Sequence, residues 1–345
     1  MVAGPARDIA GHRRSLTGLP GTLTVMKRRS RLLAPLVLAC LTLAVTAPGV
    51  FALSARYPTQ SLGNRGSDVK AIKAMLISKG YPLTVDGNFG MDTRAAVSEF
   101  QESRGLPATG IVNDATWGRL LTQVGPGSAG IPVVVLQREL NEKRRAHLVV
   151  DGIYGSTTKA AVVAFQKHMG LAATGWVTMQ TWRWLLWHFE TPAFNKTSIC
   201  DYSVGNGLAN SGTGAAIGQL EAAAKVVAKA GYGRVSVGDV GFEHGGAIPG
   251  HLSHRDGLDV DVRPMRDAND QCVARTNWRV ASYDRTATRA LIKAIRATAP
   301  GHIKLIYFND PVLIREGLVR AHSGHDDHLH IRYCEATHPK PMYDC

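Results

Sequence analysis

The sequence predicts a multidomain chain: two small all-α modules of three helices each, then an α+β domain built on a mainly antiparallel sheet. Three observations carry that expectation. Residues 85–121 match residues 150–186 without gaps at an offset of 65, with 20 of 37 positions identical, and a fixed-period repeat marks a duplicated unit. Within each copy, apolar residues recur at helical spacing. Beyond residue 190, helical and strand patterns mix without a regular βαβ rhythm, as in α+β domains. With 345 residues, 45% of them hydrophobic and 19% charged, the chain can fill several cores.

Residues 27–31 read Lys-Arg-Arg-Ser-Arg, and a 14-residue apolar run from Leu32 to Val45 follows. A basic segment, a short apolar run and small residues after it describe a secretory signal peptide. The run is shorter than the roughly 20 residues a membrane span needs, so no stable transmembrane anchor is expected in the mature form. Residues 1–55 are therefore assigned to the leader, with Met26 as an alternative start, and the product is expected outside the cytoplasm, extracellular or periplasmic. The leader holds seven of the 40 Lys/Arg and one of the 27 Asp/Glu, so the formal charge falls from +13 to +7 without it. That modest excess suits a protein among anionic surface polymers. No basic cluster with interleaved aromatics occurs, which argues against nucleic acid. Four cysteines remain once Cys40 leaves: Cys200, Cys272, Cys334 and Cys345. An even number in an exported chain predicts two disulfides, in any of three pairings.

The first module is placed at 56–124 and the second at 125–190. Val69, Ile72 and Leu76 give one face of a first helix, answered by Val133 to Leu140 in the second copy. Then comes Val85-Asp86-Gly87-x-x-Gly90, repeated as Val150-Asp151-Gly152-x-x-Gly155, whose glycines permit tight turns. A second helix carries Ala95-Ala96-Val97-x-x-Phe100-Gln101, repeated as Ala160-Ala161-Val162-x-x-Phe165-Gln166. Gly105-Leu106-x-Ala-Thr-Gly110 and Thr116-Trp117 return as Gly170-Leu171-x-Ala-Thr-Gly175 and Thr181-Trp182. The Asp-Gly loops lack the oxygen ligands a calcium site needs. Units this small hold little beyond their own core, which disfavours an active site in either.

These motifs resemble the type-1, three-helix bacterial peptidoglycan-binding domains. The resemblance implies that both modules hold the protein on peptidoglycan, through glycan strands or stem peptides. Trp176, Trp184 and Trp187 are then candidates for stacking on sugar rings, although Trp is more often a packed core aromatic.

The last domain is placed at 191–345, after loosened turn chemistry that includes Asn206-Gly207. Its expected elements are a helix from Ala215 to Ala230, a strand at 234–237, a strand at 258–262, a helix at 287–297 with Ala287, Leu291 and Ile295 inward, and strands at 303–308 and 328–333. Leu258-Asp-Val-Asp-Val262 alternates, so Asp259 and Asp261 share one strand face. Paired carboxylates repel unless a cation lies nearby. In Gly324-His-Asp-Asp-His328-Leu-His330-Ile-Arg332, His328 and His330 are expected to share a face, with Leu329 and Ile331 in the core. Nine of the twelve histidines beyond the leader fall in this domain. A lone histidine of this kind is usually a surface residue. A strand with Asp261, a strand with His330 and a loop with His254 together make a His/Asp/His set suited to Zn²⁺ with an open fourth position. Calcium and magnesium prefer all-oxygen shells.

Over roughly 200–335 these motifs resemble the penicillin-insensitive murein endopeptidases, which share a His-x6-Asp and a His-x-His motif with lysostaphin-type and D-alanyl-D-alanine peptidases. His254-x6-Asp261 and His328-Leu329-His330 fill both. Val237-Gly-Asp239, Gly245-Gly246, His251 and Asn309-Asp310-Pro311 also match. The resemblance implies that His254, Asp261 and His330 bind Zn²⁺, with His328 and His325 as the catalytic histidines and His251 near the metal. Asp259, Asp326 and Asp327 are expected to orient imidazoles. Arg263 and Arg332 share strand parity with the ligands and are candidates for pairing with stem-peptide carboxylates. The expected function is a serine-independent zinc endopeptidase cutting peptide cross-links of peptidoglycan, such as a D-alanyl to diamino-acid bond, while bound to the wall. A D,D- or L,D-carboxypeptidase, or a non-catalytic wall-binding protein with a structural metal, is the alternative.

Overall fold

A computed structural model describes residues 55–194, 197–203 and 209–345. The expected signal peptide and the Asn206-Gly207 turn lie outside the described residues. Among the described residues, no helix is long and apolar enough to cross a membrane.

The first repeat folds as α1 (Ser67–Ile77), α2 (Met91–Ser103) and α3 (Asp114–Leu120), and the second as α4 (Ile131–Arg144), α5 (Ser156–His168) and α6 (Met179–Trp187). Val69, Ile72 and Leu76 are all fully buried, as their spacing requires. The Phe-Gln pair of each copy has a physical role. Buried Gln101 donates from Nε2 to Ile111 O at 2.8 Å and accepts the Gly110 N–H at 3.0 Å. Gln166 repeats this with Trp176 O at 2.8 Å and Gly175 N at 2.9 Å. One amide thus satisfies a buried turn from both sides. Asp86 and Asp151 accept the backbone N–H two residues on, both at 2.9 Å, making side-chain-closed turns. Of the three tryptophans considered for sugar stacking, Trp187 is buried under the Arg56 guanidinium, Trp184 packs partly on the core, and Trp176 is 50% exposed.

The repeats do not form two separate beads. One apolar cluster runs from Tyr57 to Leu186, with α1 packed on α4. The first repeat also presses on the last domain. A Cβ on Gly66, at φ 118°, would lie 2.1 Å from the Gly214 carbonyl oxygen, so only glycine permits that approach.

The last domain carries a five-stranded sheet in the order β1-β2-β3-β5-β4: β1 Ile199–Asp201, β2 Val235–Val237, β3 Asp259–Val262, β4 Ile303–Tyr307 and β5 Leu329–Tyr333. Three pairings are antiparallel and β1–β2 is parallel. The sheet is therefore mixed, because α7 (Gly214–Lys229) carries the chain back between β1 and β2. Three-residue β1 and five-residue α9 (Pro311–Arg315) are too short to leave a period in the sequence. Helix α7 and α8 (Arg285–Thr298) share one core with Val260, Val262, Leu329 and Ile331, so one sheet face is packed by helices and the other is left for polar residues.

The disulfides pair Cys200 with Cys272 and Cys334 with Cys345, closing loops of sequence separation 72 and 11. In the chain-entropy account these loops contribute about 4 and about 3 kcal/mol respectively. Cys200→Ala/Cys272→Ala should therefore lower unfolding free energy more than Cys334→Ala/Cys345→Ala. Urea denaturation of the two double variants checks the order.

Candidate metal centre

Strands β3 and β5 place Asp261 opposite His330 and Asp259 opposite Arg332. Because side chains alternate, Val260 and Ile331 enter the core while Asp259, Asp261 and His330 share the opposite face. His254 reaches them from the loop before β3. It holds a left-handed backbone, φ 64°, which a non-glycine side chain adopts only at a cost. Its N–H donates to Asp259 Oδ2 at 2.9 Å, and its Nδ1 lies 3.0 Å from Val240 O. Both contacts hold the loop and the ring.

His254 Nε2 and His330 Nδ1 are 3.1 Å apart, and Asp261 Oδ1 lies 3.2 Å from the first and 3.0 Å from the second. Tetrahedral ligands with bonds of about 2.1 Å sit roughly 3.4 Å from one another, so two nitrogens and one oxygen already converge at nearly that spacing. The far ring nitrogen of each histidine is engaged: His254 Nδ1 by Val240 O, and His330 Nε2 by Asp259 Oδ1 at 3.1 Å. Metal-binding imidazoles are commonly held that way. Asp259 is fully buried and also accepts from Arg332 Nε at 2.7 Å and Tyr343 OH at 2.8 Å.

Electrostatics favour a cation here. Burial alone would push the Asp261 carboxyl up, but the adjacent His254 and His330 imidazoles outweigh it and hold the group well below the usual carboxylate range. Burial would likewise depress His330, yet its hydrogen bonds to Asp259 and Asp261 push it up to about 9. Two buried carboxylates thus draw positive charge onto the ring. The donor set and its charge both fit Zn²⁺.

The remaining expected site residues separate. His251 Nε2 lies 3.0 Å from Asp239 Oδ2 and its Nδ1 3.9 Å from Asp261 Oδ2, so His251, His254 and Asp261 form one group of metal-competent atoms. Strand β5 begins at Leu329, and His328 therefore stands one residue ahead of it, at the groove rim, with Nδ1 3.0 Å from Asp327 Oδ1. His325 lies beside it, the two rings tilted with centroids 4.7 Å apart, and is 5.6 Å from His330. Burial lowers the His325 pKa below the ordinary histidine value.

Two expectations are corrected. Asp326 orients no imidazole: it accepts from Trp278 Nε1 at 3.0 Å and Asn309 Nδ2 at 2.9 Å and pairs with Arg279, which pins the loop and holds its carboxyl down to about 2. Arg332 is not among the groove-lining residues, and its Nε pairs with Asp259 Oδ1 at 2.7 Å. Arg263 does line the groove, stacked 4.1 Å over the Tyr202 ring, beside Ser203, Asp239, Arg275, Asp327 and His328. Tyr202 and Arg275 were not singled out from the sequence, and neither were Tyr307 and His322, whose rings stack at 4.5 Å next to His325; Asp239 appeared there only as part of a matching motif. Only the strand parity of Arg263 and the Gly-Asp239 motif pointed toward them.

Fold and site together define an α+β domain with a candidate metal centre, carried behind two three-helix repeats. Comparison with known proteins agrees. Residues 65–120 and 130–185 each match the putative peptidoglycan-binding domain, and residues 209–306 match the penicillin-insensitive murein endopeptidase family. The last domain thus matches that endopeptidase family over residues 209–306, behind two matches to the peptidoglycan-binding domain. The matched span includes His254 and Asp261 and ends before His325, His328 and His330. Among curated proteins, the chain is 32% identical over 136 residues to the N-acetylmuramoyl-L-alanine amidase CwlM of Mycobacterium tuberculosis, covering 33% of this chain and 34% of that one. It is 38% identical over 77 residues to the zinc D-Ala-D-Ala carboxypeptidase of Streptomyces albus G, covering 21% and 30%. It thus spans about a third of the length of each. Among solved structures, a peptidoglycan-binding protein from Clostridioides difficile is 44% identical over 18% of this chain and 39% of that one, with a TM-score of 0.18.

Proposed function

We propose that the protein is an exported zinc endopeptidase that cuts peptide cross-links of peptidoglycan while its two repeats hold the wall. The convergence of His254 Nε2, Asp261 Oδ1 and His330 Nδ1 to within 3.2 Å, at the end of a groove carrying Arg263 and Arg275, supports this reading above all. Two disulfides suit an oxidising compartment outside the cytoplasm. Zinc bound by the three ligands supplies Lewis-acid activation of water and of the scissile carbonyl. The chain's own residues do the rest. His328, with Nδ1 engaged by Asp327, keeps Nε2 to take a proton from the attacking water. The proton that His328 takes from the water is the one returned to the leaving amine, and His325, with Nδ1 2.9 Å from Ser323 O, keeps its own Nε2 beside His328 as the alternative carrier. Asp239 and Asp259 hold His251 and His330 in place.

Stem peptides carry carboxylates, and Arg275 is the exposed cation of the groove. Arg275→Ala should raise KM about ten-fold with kcat nearly unchanged, the value of one charge-assisted hydrogen bond. Steady-state kinetics on purified muropeptides measures the split, and an unchanged KM would remove Arg275 from substrate binding. Digestion of dimeric muropeptides decides the reaction itself. Monomers as the sole product support an endopeptidase, free alanine from uncross-linked stems indicates a carboxypeptidase, and no product indicates a structural metal.

A further inference from the structure

A second group of metal-competent side chains lies away from the groove, where the second repeat meets the last domain. His168 ends α5 and His188 follows α6, both in the repeat, while Glu243 and His244 come from a loop of the last domain. Their ligand atoms all lie within 4.8 Å of one another. His168 Nε2 and His244 Nε2 are 3.1 Å apart. Glu243 reaches His188 Nε2 at 3.2 Å through Oε1, and His168 and His244 at 3.4 and 3.6 Å through Oε2. These separations bracket the roughly 3.4 Å of tetrahedral zinc ligands. The buried member is pre-set for the task, since His188 Nδ1 lies 2.7 Å from Phe189 O. That contact fixes the proton on Nδ1 and turns the Nε2 lone pair toward the group.

We infer that His168, His188, Glu243 and His244 form a second, structural zinc site that clips the second wall-binding repeat to the catalytic domain. Three imidazoles and a carboxylate suit Zn²⁺ over calcium or magnesium, and four protein ligands close the coordination shell. Arg144 pairs with Glu243 and lies 3.2 Å from His188 Nε2, so it supplies the local positive charge and competes with a metal for two of the four ligands. Its side chain is 24% exposed at the end of α4, which leaves it room to turn outward. The clip also touches the catalytic loop: Glu243 stands three residues after Val240, whose carbonyl orients His254.

The full-length protein, stripped with chelator and titrated with Zn²⁺, tests this by metal analysis after desalting. The parent should retain two equivalents, Asp261→Asn one, and Asp261→Asn combined with His168→Asn and His244→Asn none. In the Asp261→Asn background, Arg144→Gln should tighten the remaining site. Cobalt substituted there should give the intense visible bands of tetrahedral coordination. The inference is overturned if Asp261→Asn retains no metal, or if its one equivalent survives removal of both histidines. The catalytic reading fails separately, if the single equivalent of the parent disappears with His168→Asn/His244→Asn and persists in Asp261→Asn. Circular dichroism on each variant shows that the fold is kept.

Discussion

Asp261→Asn and His254→Ala are each expected to lower cleavage of dimeric muropeptides by roughly a thousand-fold or more, because either removes one of three ligands and with it several kcal/mol of transition-state stabilisation. The two replacements act differently on the apoprotein. Asp261→Asn removes a carboxylate that His254 and His330 both contact, and leaves the loop geometry alone. His254→Ala deletes a 1% exposed ring and loses its bond to Val240 O, so it also loosens the loop. Asp259→Asn should be milder, ten- to a hundred-fold, since it reorients His330 without touching the metal. Chelator treatment of the parent should match Asp261→Asn, and added zinc should rescue the parent alone. Undiminished turnover in folded His254→Ala would remove this site from the chemistry.

The strands that carry this site were legible because alternation leaves a clear trace: Leu258 to Val262 and Leu329 to Arg332 read as strands, and parity put Asp261 and His330 on one face. What parity could not show was partnership. Arg332 has the parity of a groove residue, yet its antiparallel partner is Asp259, and the fully buried carboxylate claims it. Asp326 lies among three histidines in sequence, but tight turning at 324–328 sends it toward Trp278 and Asn309. Tyr202 and Arg275 enter the groove from loops far away in the chain, joined through the Cys200–Cys272 disulfide, which no local pattern reveals. The repeat was informative in an unexpected way. Its shared positions build each module's own core, whereas several residues that join modules differ between the copies. His168 corresponds to Ser103 and His188 to Gln123 at the same offset of 65, and in the first helix, where the buried faces of Val69–Leu76 and Val133–Leu140 align at an offset of 64, Glu139 corresponds to Met75.

Replacing Lys143 is expected to be the most destabilising single change at that junction, by about 3–5 kcal/mol for Lys143→Met, because it strands a buried charge. Lys143 in α4 donates to Asp68 Oδ1 of α1 at 2.9 Å and to Leu186 O of α6 at 3.0 Å, and both charged side chains are at most 1% exposed. Glu139 lies 3.8 Å away, and Glu190, held by Ser67 Oγ at 2.8 Å, completes a cluster of three carboxylates around one ammonium. Burial therefore pushes Glu139 well up and Glu190 up to about 7, despite Lys143. Burial alone would depress Lys143, but Asp68 above all, with Glu139, keeps it charged. The sign of the pH effect follows. A carboxyl whose folded pKa is raised contributes its stability at low pH and loses it as pH climbs from the ordinary carboxylate range to about 7, so Glu190→Gln should flatten that decline. Asp68→Asn/Lys143→Met should recover much of the single-variant loss, since Asp68 then carries no charge and Glu139 and Glu190, pushed up by burial, can stand protonated. Urea denaturation across a double-mutant cycle measures the coupling. A Lys143→Met loss under about 1 kcal/mol would mean that water reaches the junction. On the proposed function, this buried junction fixes the two repeats against the groove, so the distance from anchor to scissile bond is set by the protein rather than by a linker.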